Sequence, residues 1–219
     1  MKDLYNVIEG IFDIDSNKEF DNKYIKGKSP KEIDWMTKHS HPKNKTELSG
    51  TINKYCKKFG WDSDLNWIDV SNVTNMDYLF YYIPFTGDIS EWDVSNVQSM
   101  CLMFANSKFN GNISKWDVSN VKLMTSMFRG SPFNDNISDW DVSSVVDMSN
   151  MFLSSKFNKN ISKWDVSNVE DMVYMFYRSP FNRNISKWNV SNVKDMRFMF
   201  NGCPLEKNPP KWYTKWYKD

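Results

Sequence analysis

The stretch from Trp164 to Lys187, WDVSNVEDMVYMFYRSPFNRNISK, gathers residue types that do chemistry: Glu170 and Asp171, Tyr174 and Tyr177, Arg178 and Arg183, with Ser167, Ser179 and Ser186 between them. Adjacent carboxylates can serve as general acids and bases, and tyrosine with arginine is the composition of protein-interface hot spots. The preceding stretch, Trp140 to Lys163, reads WDVSSVVDMSNMFLSSKFNKNISK in the same frame. Most of the apparent site therefore recurs as framework. What does not recur is the tyrosine and arginine content, which continues in Arg197 and Phe198. Tyr174, Tyr177, Arg178, Arg183, Arg197 and Phe198 are the candidate protein-binding residues, because a periodic framework does not need variety at its outward positions.

Other constellations fail on their own chemistry. DIDSN, with Asp13, Asp15 and Asn17, opens like a calcium loop, but Lys18 stands where the sixth-position glycine belongs and Tyr24 where a bidentate glutamate belongs. His39 and His41 lie two apart in a polar loop with no cysteine nearby, which reads as a solvated loop and not a zinc site. The file Asp69, Asp93, Asp117, Asp141, Asp165 ends in Asn189, and asparagine can still accept a hydrogen bond from backbone amides, so a turn-stabilising role fits better than a metal ladder. The four Asn-Ile-Ser triplets match a glycosylation pattern because the repeat copies them. Cys56, Cys101 and Cys203 have no paired spacing and read as reduced thiols. No serine or cysteine has a base at a recognisable spacing, and no glycine-rich phosphate loop exists among eight glycines. The expectation is a non-enzymatic protein without metal or cofactor.

The elements that must position these residues are set by a period. Trp92, Trp116, Trp140, Trp164, Trp188 and Trp212 step by 24 residues, with Ile68 in the same register. Isoleucines from Ile89 to Ile185, methionines from Met76 to Met196 and phenylalanines from Phe80 to Phe200 keep that step. The methionine content is thereby architectural. Within a unit, Val169, Met172, Met175 and Phe176 follow i, i+3, i+6, i+7, one stripe of a helix of about two turns, with Ser167 or Asn168 as N-cap and Asp171 near its start. Phe181 and Ile185 lie four apart on a short extended segment, so that a unit reads as a short strand, a turn and a short helix or 3₁₀ segment. One such unit cannot bury its apolar face alone, so units must stack. The expected fold is an α/β repeat solenoid, a right-handed superhelix of short parallel strands and short helices.

The pattern W-D-V-S-N-V-x-x-M-x-x-M-F followed by F-N-x-N-I-S resembles the BspA-like repeat of mycoplasma surface lipoproteins and other bacterial proteins, a relative of leucine-rich repeats whose function is generally unassigned. The resemblance runs from residue 46 to about 212. It implies a leucine-rich-repeat-like solenoid used for binding and carries over no catalytic residue. Unlike the surface members, this chain opens on MKDLYNVIEG, which has no apolar run of signal-peptide length, and no stretch approaches a membrane span.

Flanking the repeats, residues 1–45 form an N-terminal helical segment, 46–63 a capping helix, 64–206 six repeats and 207–219 a C-terminal cap. Leu4, Val7, Ile8, Ile11 and Phe12 predict one helix. Ser29, Pro30 and Glu32 predict a second through N-cap and capping box, and Leu48, Ile52, Tyr55 and Phe59, ended by Gly60, predict a third from about Glu47. A formal charge of +1 with mixed signs argues against a phosphate-driven binder. The sequence thus points to a cytoplasmic protein–protein scaffold with no membrane insertion, an intracellular phage or mobile-element factor that binds a host protein. A structural protein of a virion or cell surface is the alternative. A nucleic-acid binder using Tyr/Arg patches with Lys207, Lys211, Lys215 and Lys218 ranks third.

Overall fold

The computed structural model describes residues 22–216. The expected helix over Leu4 to Phe12 and the DIDSN segment lie outside the described residues. Four α-helices are present among the described residues: α1 (Asn22–Ile25), α2 (Pro30–His39), α3 (Lys45–Phe59) and α4 (Lys211–Trp216), with a 3₁₀ turn at Pro204–Glu206.

Helix α2 starts as the sequence predicts, since the Ser29 side chain accepts from the Glu32 amide and Pro30 fills the first turn, where a missing N–H costs nothing. Glu32 does not complete a capping box. Its carboxylate turns inward, 2.7 Å from the Lys28 ammonium, and accepts from the Tyr55 hydroxyl at 2.9 Å. Burial first, with the hydrogen bond to Glu32 and against the opposing one from Lys28, pushes the Tyr55 phenol up to about 12. Helix α3 is capped by Asn44, which accepts from the Glu47 amide, and ends at Gly60, whose positive φ of 110° suits a residue without Cβ. It buries Leu48, Ile52 and Tyr55. Tyr55 and Trp35 both pack on Trp67, and the Asp69 amide bonds to the Ser40 carbonyl at 2.8 Å, joining helices to the first repeat.

From Leu65 onward, residues one period apart lie beside one another. Phe104 stacks on Phe80 and on Phe128, with centroids 5.5 and 5.6 Å apart and rings within 7° of parallel, and the file continues to Phe200. Phe85 to Phe181 form a second file. In the column from Trp92 to Trp212 each indole N–H bonds to a carbonyl 27 residues earlier, as Trp140 does to Ile113 at 3.1 Å. Asparagines Asn134, Asn158 and Asn182 donate backbone N–H to the side chain of the asparagine one unit back.

The local structure inside the unit departs from expectation. No helix occurs between Trp61 and Cys203, and the strands reduce to isolated parallel bridges, Asn75↔Ser99, Ser99↔Leu123, Leu123↔Asp147, Asp147↔Asp171 and Asp171↔Asp195. The M-x-x-M-F segment is a run of tight turns. Alternate amides close i→i−3 bonds (Leu79 to Met76, Tyr81 to Tyr78, Ile83 to Phe80) while those between reach the next unit (Met76 to Ser99, Tyr78 to Cys101, Phe80 to Met103, Tyr82 to Ala105). A helix would spend all these amides within its own segment. Here half of them join units instead. The third residue of every other turn takes left-handed φ, as a type II turn requires: Tyr78, Leu102, Ser126, Asn150, Tyr174 and Phe198 in one file, Tyr82, Asn106, Gly130, Ser154, Arg178 and Gly202 in the other.

The aspartate file does what its asparagine member suggests. Asp117 accepts from the Ser119 amide at 3.0 Å and hydroxyl at 2.6 Å, Asp165 accepts from the Ser167 amide, and Asn189 accepts from the Ser191 amide. The Asn-Ile-Ser asparagines make the same turn, Asn112 to Ser114 among them. Hydrogen bonds from the serine, side chain first and then amide, hold the Asp117 and Asp165 carboxyls below the ordinary range. A folded pKa below the unfolded value gives stability that is present above the unfolded pKa, about 4, and is lost as pH falls through the folded pKa. Asp117→Asn is therefore expected to melt slightly below the wild type at pH 7, with the gap closing as the pH falls through the lowered folded pKa. A gap independent of pH would show that charge is irrelevant at this turn.

At the far end, Trp212 stacks on Trp188 at 6.4 Å and donates to the Ile185 carbonyl, while Tyr213 meets Phe200 edge-on. Cys56, Cys101 and Cys203 are free, and burial pushes the Cys56 thiol up to about 12.

Candidate interaction surface

The turn ladder carries the variable residues outward. Its side chains are held at fixed spacing because each unit is hydrogen-bonded to the next through backbone, so what differs between units is chemistry and not position. Tyr174 and Phe198, one period apart, lie ring on ring at 5.1 Å and 16°. Tyr177 packs edge-on to Tyr174 at 5.2 Å, and the Arg178 guanidinium sits 5.1 Å from the Tyr177 ring centre. Arg197 is pinned by a bidentate pair with Asp195, which holds the Asp195 carboxyl low. Five of the six candidate residues are thus assembled or adjacent.

Arg183 is not brought in. It lies in the turn after Phe181 and spends its Nε–H on the Asn158 carbonyl at 3.0 Å. Its column holds Gly87 and Gly111 in the first units, where a Cβ at Gly87 would stand 1.9 Å from the Ser63 carbonyl oxygen.

A second cluster escaped the candidate list. Tyr78, Tyr81 and Tyr82 form edge-on pairs at 5.6 and 4.6 Å in the first unit, with Tyr78 53 % and Tyr82 66 % exposed. Leu123 and Val146 are also exposed on the middle units. The left-handed files were the missed signal: Gly130, Gly202, Asn106 and Asn150 are the residue types that left-handed backbone favours, and they share columns with Tyr, Leu and Arg. Bulky side chains there hold a conformation that costs them about 1 kcal/mol or more.

No carboxylate of the aspartate file is available to a metal without giving up its serine, and no group of three or more His, Cys, Asp or Glu among the described residues is placed to hold a metal ion. No helix among those residues is long and apolar enough to cross a membrane.

No curated protein and no solved structure matches this chain. The model of one family, described as Mycoplasma protein of unknown function, DUF285, matches twice in overlapping register, over residues 46–154 and 106–216. The two matches together span the helix α3, every stacked unit and α4, and the chain belongs to this mycoplasma-type repeat family of unknown function.

Proposed function

We propose that the chain is a non-enzymatic protein–protein interaction scaffold, built as a leucine-rich-repeat-like right-handed solenoid related to the BspA type. One observation carries the binding reading. Every exposed large apolar side chain among the described residues, Tyr78, Tyr81, Tyr82, Leu123, Val146 and Phe198, falls within one band of the repeat. That band runs from two positions before the leading methionine (Val146 before Met148) to six after it (Tyr82 after Met76). The remaining outward columns are polar or charged apart from prolines, among them Pro84, Pro132 and Pro180. Exposed apolar surface confined to one side of a rigid body marks an interaction face, and tyrosine with arginine on it supplies anchors.

Tyr174→Ala and Arg178→Ala are expected to weaken a partner recovered from lysate by about 2 kcal/mol, some 30-fold, with unchanged melting curves. Lys163→Ala, on an exposed position outside the band, is the control. Arg178→Gly is the sharper variant, since Gly130 and Gly202 occupy the same left-handed position: it is expected to keep or raise the melting temperature while losing binding. If the Tyr174 and Arg178 variants bind normally and melt early, these side chains are framework and the proposal falls.

A further inference from the structure

The interaction face has two margins of opposite charge. Beside the bridges, Glu170 is paired with Lys194 at 2.7 Å and Asp195 with Arg197, while Asp147 and Asp171 on adjacent units have no ion-pair partner within 4 Å among the described residues, Asp171 feeling Arg197 only as its weakest influence. Lys122, beside Leu123 in the unit before Asp147, offsets only part of this. Across the turn ladder, Arg129 and Arg178 are exposed and likewise have no carboxylate in reach among the described residues. Burial first, then the neighbouring Asp147 and Asp195, raises the Asp171 carboxyl above its ordinary value, so its charge is held at a cost that a cation would relieve.

We infer that the partner this face fits is a second copy of the chain, laid face to face about a two-fold axis parallel to the stack, so that Asp171 of each copy meets Arg178 of the other. The inference rests on the scaffold reading above and names its partner. A two-fold axis in the interface plane can run along the stack or across it. Along the stack, it sets each unit on its own counterpart and exchanges the margins, which places Asp171 opposite Arg178 in the unit they share. Across the stack, it sets the Asp147 and Asp171 margin on itself, and like charges facing each other are unfavourable. The first arrangement also brings Tyr78 and Phe198, whose shared column lies between the two margins, against their own counterparts, an isologous contact of aromatic anchors.

Charge and area agree with this occupant. A formal net charge of +1 gives two copies no long-range repulsion. Six units spaced about 4.8 Å make the band about 25 Å tall; with a width of about 20 Å it would bury about 1,000 Å² over both copies, the lower bound for a specific interface. Association in the micromolar range is the expectation at that size.

Sedimentation velocity from about 1 to 100 µM, micromolar being the affinity expected of so small an interface, tests the inference on the full chain. The wild type is expected to pass from monomer to dimer. Asp171→Arg alone and Arg178→Asp alone are expected to raise the dissociation constant at least about 10-fold, as charge reversal at a facing pair does. An equimolar mixture of the two is expected to dimerise again, because each copy then offers the charge the other needs. Restoration on mixing is something a purely structural role for either residue would not produce. Should a reversal variant melt early, Tyr82→Asn, which places there the residue type of Asn106, removes an exposed ring from the same face and is expected to weaken the dimer. A wild type that stays monomeric, or two folded reversal variants that fail to pair, would overturn the inference. If monomeric wild type coincides with loss of a recovered partner on Tyr174→Ala, the scaffold reading stands without self-association. If that variant also binds normally, both fall.

Discussion

Trp140→Ala is expected to lower the melting midpoint by about 10 °C or more, the equivalent of about 3–5 kcal/mol in a chain of this size. The indole is 4 % exposed, in the middle of the stack, its ring against Phe128 at 6.4 Å and its N–H on the Ile113 carbonyl. Truncation would open a void between two units that cannot collapse without pulling the neighbouring files out of line. It would also strand the Ile113 carbonyl, and an unpaired buried acceptor carries its own penalty. Trp212→Ala is expected to cost less, since that ring is only partly buried at the end of the stack. Differential scanning calorimetry on both variants decides the matter, and an unchanged midpoint for Trp140→Ala would refute the stacked register.

Deleting residues 117–140, one whole period, is expected to leave a shorter protein that folds cooperatively, whereas deleting 118–140, one residue fewer, is expected to abolish cooperative melting. Each unit meets the next through partners at fixed separation: 24 residues in the asparagine bonds, 27 in the indole bonds. Removing a full period joins columns of the same kind. A deletion one residue short misaligns the contacts across the junction, where phenylalanine would face asparagine and lateral amides would lose their carbonyls, although later units keep their own 24-residue separation. Since neighbour contacts supply the stability of such arrays, a broken junction uncouples the units on its two sides, which then melt separately. Circular dichroism and thermal melting of the two deletions would expose the reverse outcome, equal melting of both, which no register-dependent fold permits.

Much of this was legible in the residues and some was not. The columns were visible because tryptophan, isoleucine, methionine and phenylalanine recur in phase, and those side chains are the ones that stack. The aspartate turns were legible through Asn189, since only a role that asparagine can share survives that exchange. The helix in each unit was misread. Val169, Met172, Met175 and Phe176 have helical spacing, yet a run of turns with amides directed alternately inward and sideways gives similar spacing of buried positions. Periodicity reports which side chains go inside, not where backbone hydrogen bonds go. The tyrosine and arginine cluster was found by asking where units disagree. Arg183 lies apart from that cluster, because disagreement marks an outward column and not which side of the unit it faces.

The lateral bonds of the turn ladder have a mechanical meaning. Every backbone bond between Met76, Tyr78, Phe80 or Tyr82 and the following unit points along the stack, at right angles to the local chain. A force applied between the two ends therefore loads these bonds one unit at a time, by peeling, and never shears them all together. Under tension such a body yields in steps, each freeing one 24-residue unit and about 80 Å of contour. The protein would act as a tether that lengthens by set increments while its remaining units keep their faces intact.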